Sequence, residues 1–279
     1  MTVKAAPSLD VPARWWREPA LSGGEEVCVF VTVAPGARIA PHNLFHARAW
    51  AAAGFRTIVV LIGDDITAEP DPDEIDFAAG VLLRANLGYD FGAWAAVLAL
   101  CPALADAGLL ALANDSVIGP MRSFPAFLGR ARAAPSDYIG VTLSHELCSH
   151  FQSYMQFFRP GALRHAAFQR FWHGVETGDR QFVIANYELA LLTRMLDAGL
   201  TAQPLFGLPP HILCNPTIHL WRDLIAAGFP FIKMQLLRDN PTGLDLTGWR
   251  DLLAAGGYDP ALAEAHLRSL RHAAALRFG

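Results

Sequence analysis

Val27-Cys28-Val29-Phe30-Val31-Thr32-Val33, closed by Pro35-Gly36, is the stretch on which the fold turns. A short run of apolar and β-branched residues without polar alternation suits a parallel strand buried on both faces. The chain then repeats that theme. Asn43 to Ala53 has helical composition and stops at Gly54, a C-terminal cap. Thr57 to Ile62 is a second strand, followed by an acidic loop from Gly63 to Asp76 with Pro70 and Pro72. Val81-Leu82-Leu83 is a third strand, Asp90 to Leu100 a helix, and Leu109 to Ala113 a fourth strand. Strand and helix alternating in this way imply right-handed crossovers and a parallel sheet. Ligands on such sheets bind at the carboxyl ends of the strands.

Beyond Pro120 the rhythm loosens. Helices are expected over Phe124 to Ala133, Leu163 to Trp172, Asn186 to Ala198 and Thr217 to Ala227, and strands over Tyr138 to Val141 and Ser153 to Phe158. Asp259-Pro260 is a cap and first-turn signal for a final helix. Residues 1–25 mix Pro, Arg and Trp and read as an arm laid over the domain. The expected organisation is that arm, one α/β domain over residues 26–256, and a C-terminal helix over 257–279 packed on the same domain.

Composition narrows the partners. A chain of 279 residues that is 53% hydrophobic and 17% charged is folded rather than disordered. A net charge of −4 leaves no electrostatic footprint for nucleic acid. Lys4 and Lys233 are the only lysines. Cys28, Cys101, Cys148 and Cys214 are scattered, which argues against a zinc knuckle or redox dithiol and suits a reducing cytosol. No charged leader with an apolar stretch and cleavage site opens the sequence, so export is not expected. Ala93 to Ala113 is apolar but interrupted by Pro102, Asp106 and Gly108, so no transmembrane segment is expected. Arg268, Arg271, His272 and Arg277 make the final helix basic, either as a solvated face or as a surface for a membrane or partner.

Three stretches fall where strands end and helices begin. Asn86-Leu87-Gly88-Tyr89-Asp90-Phe91-Gly92-Ala93-Trp94 follows the third strand and opens a helix, whose free N–H groups favour an anion. The plainer alternative makes Asp90 an N-cap and the glycines turn residues. In Asn114-Asp115-Ser116 the fourth strand runs into a carboxylate that can hold a divalent cation or simply close an Asx turn. Glu188, on an otherwise apolar helix, is either a general base withdrawn from water or a first-turn acid favoured by the helix dipole. No Gly-x-Ser-x-Gly elbow, P-loop or i, i+4 histidine pair occurs.

The first of these stretches resembles the Asn-x-Gly-Tyr-Asp-Phe-Gly-Ala-Trp signature of rhamnan synthesis protein F, a family of glycosyltransferase-like proteins of bacterial polysaccharide assembly. Agreement continues through Asn114-Asp115-Ser116-Val117-Ile118-Gly119-Pro120, His150-Phe151-Gln152-Ser153-Tyr154, Asn186-Tyr187-Glu188, Gly228-Phe229-Pro230-Phe231-Ile232-Lys233 and Leu237-Arg238-Asp239-Asn240-Pro241. The resemblance implies a single GT-A-like domain with a Rossmann-like, mostly parallel central sheet flanked by helices. It implies transfer of a rhamnose-like sugar from a nucleoside-diphosphate donor to a saccharide or lipid-linked saccharide, with inversion and Glu188 as base. Asn86, Gly88, Asp90, Asn114, Asp115 and Arg238 would bind the donor. His150, Gln152, Tyr154 and His219 would line the acceptor or sugar pocket. Asp115 would hold a divalent cation, Mg or Mn, although the metal motif keeps that one acid between Asn114 and Ser116. The expected place is the cytoplasm, at the inner membrane face where the acceptor is lipid-linked. A catalytically silent sugar or sugar-nucleotide binding module is the alternative.

Overall fold

The computed structural model describes residues 6–278, and side chains through residue 270. Eleven strands are present among these residues: β1 (Ala13–Arg17), β2 (Glu26–Val33), β3 (Arg56–Gly63), β4 (Gly80–Ala85), β5 (Leu109–Asn114), β6 (Val117–Ile118), β7 (Tyr138–Ser144), β8 (His150–Phe151), β9 (Met155–Phe158), β10 (Ala202–Phe206) and β11 (Ile232–Lys233). The main sheet runs β1-β4-β3-β2-β5-β9-β7-β10, with β8 added on β7. β4, β3, β2 and β5 pair in parallel, as do β7 and β10, while β1 and β9 run against their neighbours. Six of the eight strands along that path therefore point the same way, and the sheet is mixed but mostly parallel. β6 and β11 form a separate short antiparallel pair.

Helices cover both faces. They are α1 (Pro41–Ala52), α2 (Tyr89–Leu100), α3 (Phe124–Ala133), α4 (Pro160–Leu163), α5 (Ala166–His173), α6 (Arg180–Val183), α7 (Leu189–Asp197), α8 (Pro216–His219), α9 (Trp221–Ala226), α10 (Met234–Asp239), α11 (Trp249–Ala255) and α12 (Pro260–Phe278). The two-residue period of β2 explains the layering. Val27, Val29 and Val31 pack with Phe91, Trp94, Trp172 and Met195 on one face. Cys28 and Phe30 pack with Trp50, Phe127 and Phe157 on the other. Neither face can stay wet, which is why the run carries no polar alternation.

Several local expectations change. Within the segment read as an arm, Ala13–Arg17 is the edge strand β1, with Trp15 and Trp16 packed into different clusters; residues 1–5 lie outside the described part. The strand expected from Ser153 begins at Met155, and the helix expected from Leu163 divides at Arg164-His165, where the His165 ring accepts from the Ala167 amide. The helix expected over Thr217 to Ala227 breaks at Leu220, whose backbone leaves the helical region. The helix at Asn186 begins as a π-helical turn, Ile184–Glu188, before α7. β10 has no counterpart among the expected strands; Pro204 and Gln203 interrupt its apolar pattern, and it lies at the sheet edge, where proline is tolerated. Arg271, His272 and Arg277 of the basic final helix lie beyond the described side chains.

Candidate active site

At the carboxyl end of β5 the chain turns from core to chemistry. Asn114 is buried, and its Oδ1 accepts from the Ser116 amide at 3.0 Å. That Asx turn aims Nδ2 across the sheet at Asp90, where it donates to Oδ2 at 2.6 Å. Asp90 is not the N-cap of α2: Gly88 holds that position in the left-handed region, φ +80°, and Asp90 stands in the first turn. Its carboxyl is pushed up to about 7, first by burial and then by the charge of Asp115, with Glu188 adding to the rise. The Asn114 hydrogen bond and the Lys233 ammonium oppose that rise.

Lys233 arrives from the far end of the sequence. β11 pairs with β6 so that Lys233 lies opposite Val117, and the Met234 amide donates to the Ser116 carbonyl at 2.9 Å. The ammonium sits over the Tyr154 ring at 4.8 Å from its centroid. Burial lowers its pKa to about 8 against the pull of Glu188, Asp90 and Asp115. Glu188 ends the π-helical turn, and its Oε1 accepts from the Ser153 amide at 3.2 Å.

These groups border two cavities. The first, about 540 Å³, is lined by Asp90, Asn114, His150, Gln152, Glu188, Asn215, His219 and Lys233, among others. The second, about 560 Å³, is lined on one side by Asp115 and Arg238. Ser116, Arg180, Lys233 and Gln235 line both. Asp90 and Glu188 therefore share one cavity, Asp115 faces the next, and Lys233 stands between them.

Other expected site residues fall elsewhere. Asn86 is exposed and lines neither cavity. Gly88 lines neither; a Cβ there would meet Thr177 Cγ2 at 3.2 Å, so the glycine serves the turn. Tyr154 is fully buried with its hydroxyl 3.0 Å from Thr142 Oγ1, and it supports Lys233 from below instead of lining the pocket. Arg238 is paired with Asp239 at 2.7 Å while lining the second cavity. Gln152 is held between Thr142 Oγ1 and Asn215 Oδ1, and His150 and His219 each bond a nearby carbonyl.

Two contributors escape the reading of the sequence. Arg84 is buried beneath the Asn86–Gly88 turn and donates to the Leu87 carbonyl at 2.6 Å, bracing the entry to α2. Nothing in its strand marks it as a site residue. Lys233 does carry a signal: where arginine fills almost every basic position, a lysine is a group whose charge can be tuned by burial.

The residues do not fit a resident divalent ion. Asp115 Oδ2 already accepts from Thr32 Oγ1, the Val33 amide and Asn43 Nδ2 at 3.0, 2.9 and 3.3 Å. Among the described residues no group of three or more His, Cys, Asp and Glu side chains could hold a metal ion. No described helix is long and apolar enough to cross a membrane.

A mostly parallel α/β sheet with paired carboxylates and a desolvated ammonium at its strand ends defines an α/β protein with a strand-end ligand cleft. The chain belongs to the rhamnan synthesis protein F family, whose sequence model matches residues 59–246. It is similar to virulence protein VirA of Vibrio anguillarum, 30% identical over 195 residues that cover 57% of this chain and 62% of that protein. It is also similar to the uncharacterized protein y4gN of Sinorhizobium fredii, 28% identical over 162 residues that cover 56% of this chain and 42% of the other. The chain thus spans about three fifths or less of the length of the curated relatives it matches. Among solved structures, the mannosyltransferase PcManGT from Pyrobaculum calidifontis, in complex with GDP-Man and Mn2+, is similar over 96% of this chain and 80% of that one. The TM-score is 0.37 and the identity 17%, and at that likeness nothing is carried across.

Proposed function

We propose that this chain is a GT-A-like glycosyltransferase that moves a rhamnose-like sugar from a nucleoside diphosphate to a saccharide acceptor, lipid-linked or free, with inversion. The observation that carries the reading is the convergence of Asp90, Glu188 and Lys233 on one strand-end cavity. The acceptor hydroxyl gives its proton to Glu188 as its oxygen bonds to the anomeric carbon. The bond from that carbon to the diphosphate oxygen breaks, and the diphosphate leaves with the electron pair. Lys233 and Arg180, which line the path between the cavities, offset the charge that develops on the leaving group. Asp90, carrying its proton up to about pH 7, holds a sugar hydroxyl beside Asn114. The Ser153 amide keeps Glu188 aimed. No step needs a resident metal. The site of action would be the cytoplasm, at the inner membrane face for a lipid-linked acceptor.

The test is transfer from a panel of nucleoside-diphosphate sugars, with Glu188→Gln as the diagnostic variant. General-base assistance is worth roughly 10²–10⁴ in rate. Glu188→Gln is expected to bind the donor as the parent does and to lose turnover by a factor in that range. Unchanged turnover removes Glu188 from the role. The involvement of Asp115 in three hydrogen bonds favours one second reading, a sugar-nucleotide binding module without turnover. Tight donor binding with no transfer or donor hydrolysis would establish it.

A further inference from the structure

The second cavity has two unlike ends. Where it meets the first it is lined by Lys233 and Arg180, with Arg238 also on its wall. Asp115 is its one lining carboxylate, and Oδ2 of that group is already engaged by three donors. His42, Asn43 and His266 line this cavity and not the first. His42 is 2% exposed, and neither ring nitrogen has a hydrogen-bond partner. Asn43 spends Nδ2 on Thr32 and Asp115, which leaves Oδ1 a buried acceptor without a donor. The His266 ring, from α12, lies 4.1 Å from the His42 ring.

Buried polar atoms left unpaired cost about 1–3 kcal/mol each, so such a cluster is informative when it borders an open cavity. Burial, and next the charge of His266, lower His42 to about 3. The ring is then a neutral imidazole, with one N–H to donate and one nitrogen to accept. With the Asn43 carbonyl beside it, this end asks for a flat or hydroxylated group that both donates and accepts. The other end asks for anionic oxygens. A nucleoside diphosphate has that polarity, and the cavity volume suits a small-molecule ligand.

We infer that the second cavity seats the nucleoside end of the donor, with His42 and Asn43 reading the base or ribose and His266 packing over it, while the diphosphate reaches Lys233 and the first cavity receives sugar and acceptor. This rests on the transferase reading and assigns its two cavities. It places specificity for the nucleoside on the amino-terminal turn of α1, a segment that carries none of the residues expected to bind donor.

The experiment compares UDP, GDP and dTDP with inorganic pyrophosphate on the full chain, by calorimetry and by NMR of ¹⁵N-labelled imidazoles. One preferred nucleoside diphosphate is expected to bind at least about tenfold more tightly than pyrophosphate, the worth of one or two net hydrogen bonds. It should move the His42 and His266 imidazole signals, and pyrophosphate should leave them in place. His42→Phe, which keeps a ring but no nitrogens, should lose that tenfold and retain pyrophosphate affinity. Should that variant fail to fold, the imidazole signals of the parent chain still decide the matter. A nucleoside diphosphate that binds without moving those signals, or no more tightly than pyrophosphate, overturns the assignment and leaves the transferase reading standing. Absence of any nucleoside-diphosphate binding overturns both.

Discussion

Asn114 donates from Nδ2 to Asp90 Oδ2 at 2.6 Å, tying the end of β5 to the first turn of α2. Because the donor favours the ionised carboxylate, it holds Asp90 below where burial and Asp115 alone would push it. A strand end and a helix start 24 residues apart thereby share one titrating unit.

The first prediction concerns Asp90→Asn. In the folded chain Asp90 keeps its proton up to about 7, whereas in the unfolded chain it ionises near 3.8. Between those values the folded state binds more protons, so this group's contribution to stability falls as pH rises through the window. Asp90→Asn keeps an oxygen for Asn114 and removes the charge. Its melting temperature should exceed that of the parent by a margin that grows between about pH 4 and 7 and then stays level. Thermal melts across that range measure it; a margin independent of pH would show that Asp90 is not shifted.

Lys233→Met should weaken diphosphate binding by about tenfold or more, the worth of a hydrogen bond to a charged group at ~1.5–3 kcal/mol. In the parent chain the ammonium is lost as pH rises through about 8. Affinity for pyrophosphate should therefore fall above that pH, and the fall should be absent from Lys233→Met. Calorimetric titrations on either side of pH 8 decide the point.

Gly140→Ala is expected to destabilise the fold by about 2 kcal/mol or more through overpacking. A Cβ on Gly140 would overlap the Phe151 ring, which β8 holds against β7. Phe151 stands between His150 and Gln152, both on the wall of the first cavity, so activity should fall along with stability. Denaturant melts and a transfer assay on the same preparation test both effects. Normal stability would mean that Phe151 has room to move.

Chelation should leave the protein's melting temperature unchanged, and Mn²⁺ without nucleotide should give no binding heat. Both follow from the absence of a three-ligand cluster among the described residues. A stoichiometric Mn²⁺ site in the free protein would contradict the reading of Asp115 as fully occupied by Thr32, Val33 and Asn43.

The parallel centre of the sheet is legible in the sequence because its strands are short apolar runs, bounded by residues that punctuate the chain. Gly54 ends α1 in the left-handed region, as a C-terminal cap should. β1 and β10 are less legible, since Trp15-Trp16 and Gln203-Pro204 have no apolar run of their own and become strands only when a sheet edge offers them hydrogen bonds. The break at Leu220 and the π-helical turn before α7 are likewise set by packing, not by any residue that forbids a helix.

By itself the sequence determined where chemistry could sit, because a buried strand that runs straight into polar residues marks a strand end, and a parallel sheet presents all such ends on one side. Only the tertiary structure decided which of them meet. Asp90 and Glu188 face one cavity and Asp115 the next, and Lys233 stands between them because a two-residue ladder from β11 reaches Val117. Spacing along a chain carries no information about that ladder, since long-range pairing is selected by the whole packed core around it.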